Sequence, residues 1–287
     1  MKSLAIVVLS YNHPQLTESC LQSVLQVAPQ QIPIYLYHNG SEVKHVQQLQ
    51  KIFSENVHHI VSAENHGFSG GMNRAMTHAF QQHEWLLAIT NDCELLRWGN
   101  ILGLQKPAMV APLVYRKNKV DVDSVGAVID PVHGKLRHLK KLSEVVQHIN
   151  TDCFYIPGTV FFLHKEVFES LQGFDESLHT YWEDVDFSRR MRLQSYKPTV
   201  LWDFQFLHKV GKTCHKKPFY TNYLFHRNGW IVTRRWGREL LSNQQKIRRE
   251  FYFLKKMLLR IFILLRHNRW ADVGSLLRAY FQAWQRR

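Results

Sequence analysis

The chain has 287 residues, of which 45% are hydrophobic and 13% aromatic, enough apolar surface for a full core and too much for a disordered chain. Its formal charge of +14 is uneven: residues 205–287 hold 19 Lys and Arg against 3 Asp and Glu, whereas the rest hold 18 against 20. Cys20, Cys93, Cys153 and Cys214 are widely spaced with no CxxC pair, which argues against a zinc site or a disulfide framework and suits a reducing compartment.

Residues 4–9 (LAIVVL) read as a buried strand, too short for a signal-peptide core. No apolar run reaches the roughly 18 residues of a membrane span, and a cytoplasmic location is expected. Residues 10–14 (SYNHP) stop the strand, and helical spacing follows at Leu16, Cys20, Leu21, Val24 and Leu25. A strand at 34–37 ends in Asn39-Gly40-Ser41, and an amphipathic helix around 46–53 and a short strand at 57–61 come next. A loop at 65–71 leads into a helix at 72–80, then an apolar strand at 85–90. This alternation predicts an α/β fold of βαβ units on a mostly parallel sheet. Ligands of such sheets lie beyond the strand C-termini, which here carry Ser10-Tyr11-Asn12, His38-Asn39, Asn65 and Asn91-Asp92.

The glycine-rich stretch 65–76 opens a helix with N–H groups that suit a phosphate. Its spacing is neither GxGxxG nor a Walker loop, and a tight turn explains it equally well. Asp92 closes an apolar strand, where a carboxylate must be paired, solvated or bound to metal. Asn91 and Glu94 add oxygens of the kind that Mg²⁺ or Mn²⁺ prefer; a polar strand-to-loop transition is the plainer reading. Short strands are expected at 110–115 and 126–129, a basic loop at 133–141, and a strand at 159–163 running into a helix and a turn at Gly173.

Glu183, Asp184 and Asp186 then follow Tyr181 and Trp182. Acidic residues suit the start of a helix, yet aromatic walls also raise a carboxylate pKa, which tunes a general base. His208 comes after a further apolar stretch, and a lone histidine is more often structural than ligating. In the tail, Phe251, Leu254, Leu258, Ile261 and Leu265 recur every three or four residues among Lys255, Lys256 and Arg260. Residues 270–284 repeat the pattern more weakly. A basic amphipathic helix of this kind fits an anionic membrane surface; a helical hairpin packed on the domain is the alternative. The charge lies outside the sheet region and no nucleic-acid-binding motif is present, so no nucleic acid partner is expected.

Six segments in order, IVVLSYN, HNGS, NHGFSGGMNRAM, LLAITND, PGTVFFLHKEVFESLQGFDE and YWEDVDFSRRMRLQSY, resemble the family 2 inverting glycosyltransferases. That family has the GT-A nucleotide-diphospho-sugar transferase fold, and the rhamnosyltransferase-like members are the nearest group. The resemblance implies a GT-A domain over residues 1–235 and a basic helical extension over 236–287. By the family pattern Tyr11 and Asn12 hold the donor nucleoside, and Asn65, Gly67, Gly71 and Asn73 shape the nucleotide pocket, with His38, Asn39 and Asn91 also on the donor side. Thr90-Asn91-Asp92 falls at the DxD position, where Asp92 meets a divalent Mn²⁺ or Mg²⁺ that His208 helps to coordinate. Asp184, in the Glu183-Asp184 pair, matches the catalytic base.

Two positions depart from the pattern: His38 stands where the family has an acidic residue that contacts the nucleobase, and Thr90 stands at the first DxD aspartate. The implied function is metal-assisted, inverting transfer of a sugar, L-rhamnose from dTDP-rhamnose first. The acceptor would be lipid-linked or of lipopolysaccharide type, at the cytoplasmic face of the inner membrane. Another hexose or an N-acetylhexosamine from a UDP-sugar is the alternative, and a non-catalytic membrane scaffold and a nucleic-acid-binding protein are the rivals from other classes.

Overall fold

The computed structural model describes residues 3–101, 104, 106–118, 120–209 and 218–285; Cys214 lies outside them. The first half alternates as expected: β1 (Leu4–Ser10), α1 (Pro14–Val27), β2 (Ile34–Asn39), α2 (Val43–Ile52), β3 (His58–Ser62), α3 (Gly67–Ala79) and β4 (Trp85–Thr90). These four strands pair in parallel. Every residue of β1 and β2 is buried, because helices and loops cover both faces of a parallel sheet and the strands must then be apolar throughout. Alternate β1 side chains enter different layers. Ala5, Val7 and Leu9 pack with α3, whereas Ile6 and Val8 pack with Cys20, Leu21 and Val24 of α1.

The second half adds β5 (Cys93–Arg97), β6 (Met109–Arg116), β7 (Val122–Ser124), β8 (Ala127–Asp130), β9 (Lys135–His138), α4 (Leu142–His148), β10 (Phe154–Tyr155), β11 (Val160–His164), α5 (Lys165–Leu171), α6 (Glu183–Leu193) and β12 (Thr199–His208). A nine-stranded sheet runs β3-β2-β1-β4-β11-β6-β12-β5, with β7 on β6, and β10-β8-β9 form a small second sheet. β11 is antiparallel to both neighbours, and β12 is parallel to β6 and antiparallel to β5. The result is a mixed α/β sheet with flanking helices, the GT-A arrangement. The basic loop expected at 133–141 contains β9 and the buried Leu139.

The expected loop at 65–71 is helix from Gly67 onward. Glycine weakens a helix by about 1 kcal/mol, so local propensity points to a loop; packing overrides it. A Cβ on Gly71 would stand 2.6 Å from the Asn39 amide nitrogen, and only a bare backbone brings α3 so close to the end of β2.

Three C-terminal helices complete the chain: α7 (Pro218–Leu240), α8 (Asn243–Arg266) and α9 (Trp270–Gln285). Ser242 and Gln245 form a capping box at the start of α8. Trp230, Trp236, Phe253 and Tyr280 bury one face of this bundle against Tyr155, Leu178, Trp182 and Val185. Residue 235, the expected end of the GT-A domain, lies inside α7. The apolar residues of α8 divide: Phe251, Leu254 and Leu258 are exposed, whereas Ile261 and Leu265 are partly buried against the bundle core. No described helix is long and apolar enough to cross a membrane.

Candidate active site

Asp92 sits in the short turn that reverses β4 into β5. Thr90 Oγ1 donates to Asp92 Oδ1 at 2.7 Å. β12 runs antiparallel to β5 and sets His208 opposite Cys93, which leaves His208 Nε2 3.6 Å from Asp92 Oδ2. The other ring nitrogen, Nδ1, is 3.1 Å from Asp123 Oδ2 on β7, and Arg116 Nε donates to Asp123 Oδ1 at 3.3 Å. Burial pushes His208 toward the neutral form, but Asp123 and Asp92 outweigh it and hold the imidazole up at about 9.

Asp92, Cys93 and His208 offer ligand atoms that all lie within 4.8 Å of one another. A carboxylate, an imidazole and a second carboxylate orienting that imidazole fit a divalent cation such as Mn²⁺, which would replace the proton now shared by His208. Cys93 is fully buried and its thiol is pushed well above its usual value by burial and then by Asp92. It remains S–H and is no ligand for a hard cation.

Of the donor-side residues, Tyr11 is 39% exposed, on the open side of the sheet edge. Asn12, with φ 51°, accepts the Glu42 N–H at 3.0 Å and sits 3.2 Å from His45 Nδ1. Asn39 Nδ2 donates to the Gly67 carbonyl at 2.8 Å while its Oδ1 accepts the His66 N–H at 3.0 Å. Asn65 Oδ1 accepts the Gly67 N–H at 2.8 Å, and Gly67 itself needs φ +70° with His179 packed against it. These groups build the loop backbone. Asn73 clamps Phe174 through both backbone groups, at 2.9 and 2.8 Å. Asn91 turns inward, where its Nδ2 donates to Thr17 Oγ1 at 2.9 Å. His38 is fully buried with Nε2 2.9 Å from His59 Nδ1, and burial, with His59 second, pushes it down to about 4. A neutral imidazole therefore stands where the family pattern has a carboxylate.

Asp184 lies in the first turn of α6, half-buried. Its Oδ2 accepts the Gly158 N–H at 2.9 Å and its Oδ1 the Val185 N–H at 2.8 Å. Burial raises its pKa, and those two donors act in the opposite direction. Glu183 beside it is buried, and its Oε2 has no hydrogen-bond partner among the described residues. Burial first and the Asp184 charge second push Glu183 well above the usual carboxylate range. Asp186 is different again: Arg190 Nε and Arg235 Nη1 hold it at 2.8 and 3.0 Å, so this third carboxylate is structural.

The two halves of the site share one backbone segment. Thr90 N–H donates to the Thr159 carbonyl at 3.0 Å, one residue beyond the Gly158 N–H that holds Asp184. A pocket lined by Asp123, His138, Pro157 and Thr159 opens beside it.

The Glycosyl transferase family 2 model matches residues 5–207. The chain belongs to that family. No protein of curated function matches the sequence significantly. The fold of this family 2 chain is similar to GalNAc-T7 with UDP, GalNAc and Mn²⁺, at 13% identity and TM-score 0.57, over 88% of this chain and 55% of that one. It is also similar to the mannosyltransferase PcManGT from Pyrobaculum calidifontis in complex with GDP-Man and Mn²⁺, at 12% and 0.55, over 100% and 88%. The third comparison is S. aureus TarS 1-349, at 13% and 0.54, over 98% and 91%. At such identities the likeness is one of fold.

Asp123 and His138 are site residues that sequence reasoning missed. His138, exposed on β9, acts electrostatically to lower the pKa of both Asp123 and Asp184. The only local signal for it was the basic character of residues 133–141, and Asp123 had none. Glu183 gives a test of the electrostatics in this family 2 site. The folded protein keeps the Glu183 proton that the unfolded chain releases near the ordinary value of 4.5. Stability must then fall as pH rises from that value toward the raised one. Glu183→Gln removes this titration, and thermal melts should show the wild type losing more Tm than the variant between about pH 5 and pH 8. Parallel melting curves would mean that Glu183 is ionised in the fold.

Proposed function

We propose that the chain is an inverting glycosyltransferase that moves a sugar from a nucleoside-diphosphate donor to an acceptor hydroxyl, with Asp184 as the base. The observation that carries this reading is the pairing of two unlike carboxylate sites through residues 158–159. On one side Asp184 is held by backbone donors, and on the other Asp92 and His208 offer oxygen and nitrogen ligands. Asp92 and His208 would hold a divalent Mn²⁺ or Mg²⁺, which neutralises charge on a leaving diphosphate. Asp184 takes the proton from the acceptor hydroxyl as it attacks the anomeric carbon. One displacement with one base inverts that centre.

The preferred donor is dTDP-L-rhamnose, which rests on the overall resemblance to the rhamnosyltransferase-like members and on no single motif, with a UDP-hexose or UDP-N-acetylhexosamine as the alternative. UDP, UDP-GlcNAc and GDP-Man in the structures of similar fold favour no single base. Calorimetric titration with dTDP and UDP, each with and without Mn²⁺, tests the reading. Metal-dependent binding of one nucleotide supports it and fixes the base, whereas binding of neither counts against an enzyme of this class.

The acceptor is proposed to be lipid-linked, or of lipopolysaccharide or other cell-surface polysaccharide type, met at the cytoplasmic face of the inner membrane. Support comes from α8, where Phe251, Leu258 and Phe262 are 68%, 56% and 62% exposed along one stripe with Ile247 and Leu254. Exposed Arg248, Lys255 and Arg266 flank it, while Arg249, Phe253 and Leu264 on the opposite face are buried. Residues 236–287 would thus rest peripherally on an anionic lipid surface. Replacing Phe251 and Phe262 with Glu is expected to lower binding to phosphatidylglycerol vesicles at least about tenfold. Unchanged co-sedimentation would remove the stripe as the contact.

A further inference from the structure

The backbone that leads into Glu183 and Asp184 is strained. His179, Tyr181 and Trp182 have φ of 63°, 71° and 73°, a region that residues with a Cβ rarely occupy and keep only where their surroundings enforce it. Much of what enforces it lies beyond the family match, which ends at residue 207. Asn228, fully buried in α7, directs its amide Nδ2 at three carbonyl oxygens, those of Leu178 at 2.7 Å and of Thr180 and Tyr181 at 2.9 Å. Arg227 Nη2 donates to the Ser177 carbonyl at 2.5 Å.

The next residue, Gly229, faces the Trp182 ring so closely that a Cβ there would stand 2.8 Å from it. One turn and a half further on, Arg235 bridges Asp175 at 2.7 Å and Asp186 at 3.0 Å, the two flanks of the same segment. From the other side the first turn of α3 holds it, with Ser69 N–H on the His179 carbonyl at 3.0 Å and Phe68 N–H on Thr180 Oγ1 at 3.1 Å.

Three carbonyls pointing at one spot repel one another unless a donor sits between them, and buried acceptors without a donor are costly. An amide NH₂ places two hydrogens among these three carbonyls, so that one hydrogen is shared. The positions of Tyr181 and Trp182 in turn set where α6 begins, and with it the reach of Asp184 to the Gly158 N–H. We propose that Asn228 is a positioning residue for Asp184, gripping residues 178–181 in the strained conformation that aims the carboxylate, with Gly229 giving Trp182 room to seat. The inference rests on the reading of Asp184 as the base.

Asn228→Asp keeps the shape but turns an oxygen toward the three carbonyls, and Gly229→Ala disturbs the same segment through Trp182 while leaving those bonds in place. In both variants kcat for transfer is expected to fall about 100-fold, while the affinity for the donor nucleotide stays within about threefold because the metal side is untouched. Hydrogen exchange at residues 178–184 should quicken in both, with β1 and β4 unchanged. Parallel losses of kcat and nucleotide affinity, or exchange at 178–184 as slow as in the wild type, would overturn the proposal. If the wild type neither binds a nucleotide nor transfers a sugar, the enzymatic reading fails, and the proposed role of Asn228 toward a base fails with it. Exchange at 178–184 then reports on the clamp alone.

Discussion

Asp184→Asn is expected to lower sugar transfer by about 10³-fold or more, with nucleotide affinity changed no more than a few-fold. The amide has nearly the carboxylate's shape and can still accept the N–H that Gly158 donates at 2.9 Å, so the fold and the donor side should persist. It cannot take a proton from an attacking hydroxyl. The neighbouring Glu183 is a poor substitute, because burial, the largest cause of its raised pKa, persists in the variant and favours the protonated form, and a carboxylic acid that already holds its proton is no base. Steady-state kinetics with the best donor, together with a calorimetric Kd for the nucleotide, check this. Turnover at the wild-type rate would remove Asp184 as the base.

Asp92→Ala is expected to abolish the metal-dependent part of nucleotide binding, and chelation of the wild type should do the same. On the proposed reading Thr90 takes the place of a first aspartate, which would leave Asp92 as the main carboxylate ligand. Asp123 acts one step further out: it orients His208 by accepting from Nδ1 at 3.1 Å, and loss of such an outer partner costs about 10–100-fold in metal affinity. Asp123→Asn should therefore fall between wild type and Asp92→Ala when Mn²⁺ binding is followed by its paramagnetic resonance signal. Equal Mn²⁺ affinity in wild type and Asp92→Ala would place the cation elsewhere.

The parallel half of the sheet was legible because buried parallel strands are continuous apolar runs and the helices between them keep a 3.6-residue period. Asp92 and the Glu183-Asp184 pair stood out as candidates because carboxylates beside large apolar or aromatic residues need a reason. The same local logic misread α3, whose glycines look like a loop and are instead what lets a helix approach Asn39. It also missed β9 inside a basic stretch and the divided burial of α8, since Ile261 and Leu265 turn toward α7 and α9 while Phe251 and Leu258 do not.

Asn73, Asn91 and His38 were expected beside the donor, yet their side chains are taken up by Phe174, Thr17 and His59. Composition and periodicity report how each residue meets its sequence neighbours, and that suffices for strands, helix faces and unusual charge. They hold nothing about Asp123 meeting His208 85 positions away, or Asn228 meeting Leu178 50 positions back. Those meetings depend on the path of the whole chain, and only the folded sheet, with α7 laid across the segment before Asp184, decides them.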